Sequence, residues 1–307
     1  MTGNILVIGA LGQVGSELVE NLRAKYGKNS VIASDIKDEG HGGLYEKLDI
    51  LDKDALLAIV YKYEIKNVFN LVALLSATAE KHVDYAWQLS MDGHFNVLNL
   101  AKDKIIDKIF WPSSIAVFGP NTPKQNTPQN TVMDPNTVYG IAKQAGERWN
   151  EYYFNRYGVD VRSIRYPGLI GWKSLPGGGT TDYAVDIFHQ ARKTNTYECF
   201  LNANATLPMM MMEDAVRATI DIMEAPSEKI KVRSSYNLAA DSFSPAELAT
   251  EIAAHKEGFT ITYKTDERDA IAASWPQSID DSTARADWGW KHTYGTKALV
   301  TEMLAHI

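Results

Sequence analysis

The segment Gly9-Ala10-Leu11-Gly12-Gln13-Val14-Gly15 constrains the fold of this chain more than any other feature. It follows a short apolar run, Asn4 to Ile8, and opens a helical pattern from Gln13 to Tyr26. Glycines between a strand and a helix allow a tight turn and close approach of a ligand to the backbone. The first N–H groups of the helix add partial positive charge, so Gly9, Gly12, Gln13, Val14 and Gly15 form a predicted pyrophosphate cradle. The spacing G-x-x-G-x-x-G is one residue wider than the general dinucleotide fingerprint. Asp35 lies 20 residues after Gly15, at the end of a second apolar run, Val31 to Ser34. A carboxylate there accepts hydrogen bonds from an adenosine ribose and repels a 2′-phosphate, which predicts NAD rather than NADP.

The rest of the first half repeats the same alternation. Helical patterns at Asp54 to Tyr63 and Tyr85 to Lys102 alternate with apolar runs at Val68 to Val72 and Lys108 to Trp111. Continuous apolar strands alternating with helices predict an α/β fold, a Rossmann-type doubly wound parallel sheet covered on both faces. A Pro- and Asn-rich loop, Pro120 to Thr137, leads to a helix over Val138 to Tyr157 and a strand over Val161 to Tyr166. Helices at Ala215 to Glu224 and Pro245 to Lys256 and an exposed strand at Thr260 to Lys264 are also predicted. Gly177 to Gly179 cannot be regular structure and reads as a mobile loop.

Tyr139-Gly140-Ile141-Ala142-Lys143 opens the Val138 helix, and positions four apart share a helix face. A free tyrosine has a pKa of about 10 and is a poor base at neutral pH. The Lys143 ammonium favours its phenolate, making Tyr139 a candidate acid/base for an alcohol losing hydride. Upstream, Ser113 and Ser114 end a predicted parallel strand, where such sheets bind ligands. Either hydroxyl could orient the substrate oxygen.

Taken together, Gly9/Gly12/Gly15, Ser113-Ser114, Tyr139/Lys143 and Arg165-Tyr166-Pro167-Gly168 resemble the extended short-chain dehydrogenase/reductase superfamily over nearly the whole chain. The resemblance implies that Ser114 is the catalytic serine. It also implies that Tyr166 and Pro167 pack near the nicotinamide, Asp49 and Ile50 flank the adenine, and Leu71, Ala73 and Leu74 lie beneath the ribose. It divides the chain into an NAD-binding Rossmann domain (1–172 plus about 209–239) and a smaller substrate-binding, capping region (about 173–208 plus 240–307). Residues 174–184, 74–77, 274–282 and 284–290 are similar to the short-chain, zinc-independent type of L-threonine 3-dehydrogenase. That likeness implies oxidation of the 3-hydroxyl of L-threonine by NAD to 2-amino-3-oxobutyrate. The Gly178, Gly179, Thr180 and Thr181 loop would bind the small amino acid through backbone amides and hydroxyls, helped by Ser76, with Trp275 closing over the methyl. Loop 174–182 is expected to close on substrate. Two positions depart from the pattern: Ser90 stands where Asn is frequent, and Met211 where Tyr is common. The helices over 85–102 and 138–157 match those that pair into a homodimer in this superfamily.

Composition narrows the setting. The 307 residues carry a net charge of −7, which argues against nucleic acid as the main partner. The single cysteine, Cys199, reads as a buried small hydrophobe and points to a reducing, cytoplasmic environment. The seven histidines are scattered, so no metal is expected. No apolar run is long enough to span a membrane, and the first, Ile5 to Leu11, lacks the basic flank of a secretory signal. A nucleotide-sugar epimerase or dehydratase on the same scaffold is the rival enzyme. A non-catalytic NAD sensor is a third reading, which the presence of Ser114, Tyr139 and Lys143 disfavours.

Overall fold

The computed structural model describes residues 1–38, 40 and 42–307. Its centre is a six-stranded, all-parallel sheet. Five of its strands are β1 (Asn4–Ile8), β2 (Val31–Asp35), β3 (Tyr45–Lys47), β4 (Ile65–Asn70) and β5 (Lys108–Phe110). Pro112, with no N–H to donate, interrupts the fifth line, which resumes as the short β6 (Ser113–Ser114). The sixth line is β7 (Asp160–Arg162) continued by β8 (Ile164–Tyr166), and the sheet order is β3-β2-β1-β4-β5-β7. Phe110 pairs with Arg162 and Ser113 with Arg165, so the register is preserved across the break. The single strand expected over Val161 to Tyr166 is thus two, divided at Ser163, whose carbonyl accepts from Tyr236 N at the start of β12 (Tyr236–Asn237), a short strand parallel to β8.

Alternation along β1 shows why the strands read as unbroken apolar runs. Ile5 and Val7 enter one core and Leu6 and Ile8 the other. One face is covered by α1 (Gln13–Tyr26), the other by α2 (Lys53–Lys62) and by two long helices described below. After β4 the chain makes the short α3 (Ser76–Ala79) and then α4 (Val83–Lys102). The helix α5 covers Val138–Tyr157, the span expected from sequence. Thr137 caps its start by accepting from Gly140 N (3.1 Å), and Gly158 ends it in the left-handed conformation. A Cβ on Gly146 would lie 2.3 Å from the Trp111 ring, so only glycine lets α5 seat closely against the end of the sheet.

A second core lies beyond the C-terminal ends of the strands. Here β9 (Gly168–Ile170) and β11 (Leu207–Met211) run parallel, and β13 (Asp241–Phe243) pairs antiparallel to β11. Between β9 and β11 come α6 (Tyr183–Thr194) and β10 (Thr196–Cys199). The methionine run is therefore a buried strand leading into α7 (Met212–Glu224), with Met211 fully buried. The strand expected at Thr260 to Lys264 is β14 (Thr260–Tyr263), paired parallel with β10. Cys199 is buried in this core, and among the described residues no helix is long and apolar enough to cross a membrane.

Candidate active site

The cradle at the start of α1 is built by packing as much as by conformation. A Cβ on Gly15 would sit 2.2 Å from Gly9 O, so the helix can approach the turn only with glycine there. No side chain caps α1 at Gly12, which leaves its first N–H groups facing a cavity of about 500 Å³. A second cavity of about 260 Å³ adjoins it. Gly9, Gly12, Leu71 and Ala73 line both, and Asp35, Asp49, Ile50 and Leu74 line the smaller one. Asp35 Oδ2 accepts from Leu11 N at 3.0 Å, so this carboxylate also braces the glycine turn. The elongated, two-lobed space with an uncapped helix N-terminus in the middle and two aspartates lining its far lobe fits an adenine dinucleotide.

The larger cavity ends at the junction of β6 and α5, where Ser114, Tyr139 and Lys143 meet. The Lys143 ammonium donates to Pro112 O at 2.6 Å and lies 5.6 Å from the Tyr139 ring centroid and 4.3 Å from that of Trp111. Burial pushes the Tyr139 phenol up to about 12, opposed by its hydrogen bond with Ser114. Burial also pulls Lys143 down to about 7, opposed by Glu147. The two serines diverge. Ser113 is buried and its hydroxyl donates to Glu147 Oε1 at 2.6 Å, whereas Ser114 is open to the cavity beside Tyr139. The hydroxyl of Ser113 thus braces the framework, although its residue touches the cavity wall. Tyr166 and Pro167 line the same cavity, Tyr166 with its hydroxyl bonded to Thr219.

The loop over residues 174–182 forms the opposite wall. Ser76 Oγ and Thr180 Oγ1 are buried and 3.4 Å apart, and Gly179, Thr181 and Trp275 also line the space. Gly178 stands at the crest of the loop rather than on the cavity wall. The amides of Gly177, Gly178 and Gly179 were expected to serve a substrate carboxylate. In the structure all three donate to Asp182 Oδ2, at 2.7, 2.8 and 2.8 Å. Gln13 Nε2 reaches across from α1 to Leu175 O (3.2 Å), tying the nucleotide cradle to this loop. The sequence reading missed the anchoring by Asp182 and the buried carboxylate of Glu147. An acidic residue closing a glycine run just before a helix, and one four residues after Lys143, were the available signals. Ser90 and Met211 do not line either cavity. Among the described residues, no group of three His, Cys, Asp or Glu side chains could hold a metal ion.

The family described as NAD dependent epimerase/dehydratase matches residues 5–239. The chain is 47% identical to the mitochondrial L-threonine 3-dehydrogenase of Sus scrofa, over 98% of this chain and 81% of that protein. The holo form of a GalE-like L-threonine dehydrogenase from Cupriavidus necator superposes with a TM-score of 0.97 at 54% identity, covering 98% of this chain and 99% of that one. A monomeric L-threonine 3-dehydrogenase from a metagenome, in its apo form, superposes with a TM-score of 0.95 at 48% identity over 98% and 97% of the two chains.

Proposed function

The chain belongs to the NAD dependent epimerase/dehydratase family, and within it we propose that this protein oxidises the 3-hydroxyl of L-threonine with NAD, giving 2-amino-3-oxobutyrate and NADH. The observation that carries the reading is the meeting of Ser114, Tyr139 and Lys143 at the end of a cavity whose far wall is a Ser76–Thr180 hydroxyl pair. The names of the similar pig and Cupriavidus necator enzymes support the same substrate.

NAD, when bound, supplies the hydride acceptor and a positive charge beside the phenol. Tyr139 Oη removes the proton of the 3-hydroxyl, and Ser114 Oγ orients that oxygen. Lys143, held by Pro112 O, keeps a cation near the phenol and favours its ionised form. In the structure as it stands the phenol is pushed up to about 12, so the cation and the cofactor together must bring it down for oxidation near neutrality. Thr180 and Ser76 offer hydroxyls to the amino-acid end, and Trp275 closes the side where the methyl would lie. Asp49, Ile50, Leu71, Ala73 and Leu74 form the adenosine end of the site. The chain is read as a Rossmann domain of 1–172 plus about 209–239 with a capping region made of the rest.

The assembly proposed is a homodimer, on the strength of exposed aromatic residues on α4 and α5, with a cytoplasmic location supported by the lone buried thiol. The test of the activity is direct. L-Threonine and NAD without added metal should give a steady rise in reduced-nicotinamide absorbance. No turnover with threonine, together with binding of a UDP-sugar by calorimetry, would contradict the reading.

A further inference from the structure

Glu147 takes part in no step described above, yet it is one of the most elaborately bonded side chains near the site. Its residue is fully buried, one helical turn beyond Lys143 on α5. Its carboxylate accepts Ser113 Oγ (2.6 Å) and a forked pair from Arg165, Nε at 2.9 Å and Nη2 at 2.7 Å. Arg165, equally buried on β8, gives Nη1 to Gln129 O and Asn237 Oδ1 at 3.0 and 2.9 Å. A buried ion pair of this kind seldom stabilises a fold more than apolar side chains of the same shape would. Stability alone is therefore a weak reason for it, and its location at the end of the catalytic strand needs another.

We propose that Glu147 is a positioning residue of the active site: it is the counter-charge that keeps Lys143 an ammonium, and its bonds to Ser113 and Arg165 fix the strand end that presents Ser114. The inference rests on the roles given above to Tyr139 and Lys143. Three observations lead to it. Lys143 is 2% exposed, and the acceptor its ammonium meets is a neutral carbonyl, Pro112 O. The ionisable groups around it are Tyr139 and Glu147 on its own helix, His94 on α4 and, on the far side of Glu147, Arg165 on β8. His94 is stacked on Trp111 and bonded to Asn150, and burial pulls its imidazole down to about 3, so it brings no charge at neutral pH. Glu147, one helical turn from Lys143, is the anion among these groups, and it is shared with Arg165, which pairs with it directly. A neutral amine would withdraw the cation that favours the Tyr139 phenolate.

The full-length protein tests this in two readouts. Lysine side-chain NMR, with the Lys143 signal assigned from Lys143→Arg, should give a titration near 7 in the wild type. In Glu147→Gln it should move down by about one pH unit or more. The same variant should lose about tenfold more threonine turnover at about pH 7 than at about pH 9, as the rising limb of the rate profile moves to the alkaline side. Because Glu147→Gln leaves the buried Arg165 guanidinium unpaired, which by itself would lower Lys143, Glu147→Gln/Arg165→Gln is the deciding variant: it leaves no buried lone charge, and its Lys143 titration should still move down. A Lys143 titration unmoved in the folded variant, with activity lost equally at every pH, overturns the proposal. The NMR titration needs no threonine. A wild type that never turns threonine over would refute the assigned reaction and leave this readout standing.

Discussion

Glu17, on the buried side of α1, is 3% exposed, and its carboxyl is pushed up to about 7, first by burial and then by Glu213, with Lys173 opposing and Glu20 adding a little. A carboxyl that holds its proton more tightly folded than unfolded stabilises the fold in full below its unfolded value of 4.5. That contribution shrinks as pH rises and is gone above about 7. By linkage it amounts to about 3 kcal/mol. Glu17→Gln, which keeps the shape and cannot ionise, is expected to flatten the fall in melting temperature between about pH 5 and 7.5. An unchanged slope in calorimetry would place the titration elsewhere. Tyr139 gives the sharpest residue-scale expectation. Tyr139→Phe should bind NAD as the wild type does and lose about 10²- to 10⁴-fold in turnover. Fluorescence titration of the cofactor and initial rates measure the two separately.

At the scale of elements, the glycine turn of the loop over 174–182 is gathered on one carboxylate oxygen, Asp182 Oδ2. Asp182→Ala frees three backbone N–H groups at once. It should raise the KM for threonine by about tenfold or more, since hydrogen bonds to a charged group contribute about 1.5–3 kcal/mol each. NAD affinity should fall by much less, because the loop is tied to the cradle at α1 through the Gln13 Nε2 bond to Leu175 O rather than through the amides that Asp182 holds. Limited proteolysis of the loop, with and without threonine, gives a second reading of the same loss. The anchor also shows where sequence legibility ends. Residues 138–157 could be bounded as a helix because Thr137 and Gly158 flank a full periodic run. The nucleotide cradle was legible because its glycines sit at fixed offsets from a strand and a helix. The three-residue strands β9 and β13 carry too few positions to show a period. Strand alternation alone did not say which of Ser113 and Ser114 faces the cavity, since neighbours on a strand point to opposite sides, and the choice of Ser114 came from the family resemblance. The grip of Asp182 on three amides depends on the curl of the loop, and that of Glu147 on a strand brought in by the sheet. Neither exists in one dimension.

For the whole molecule, Tyr85 and Trp87 on α4 and Trp149 and Tyr152 on α5 are large apolar side chains left exposed on adjoining helices. Trp149 meets Phe95 and Tyr152 edge-on at 5.0 and 5.6 Å, making a rigid aromatic surface. Such a patch marks an interaction surface, and a second copy of this chain is the occupant proposed. Trp149→Glu should convert a dimer into a monomer in sedimentation equilibrium while leaving the fold intact. A wild type that sediments as a monomer at micromolar concentration, like the metagenomic relative named monomeric, would remove the dimer from the account. The central claim, that net hydride leaves C3 of threonine for the cofactor, is tested most directly by L-threonine deuterated at C3. The account expects the label in the reduced nicotinamide released to solution and absent from the keto product. Label retained in the product, or no reduced cofactor released, would contradict it.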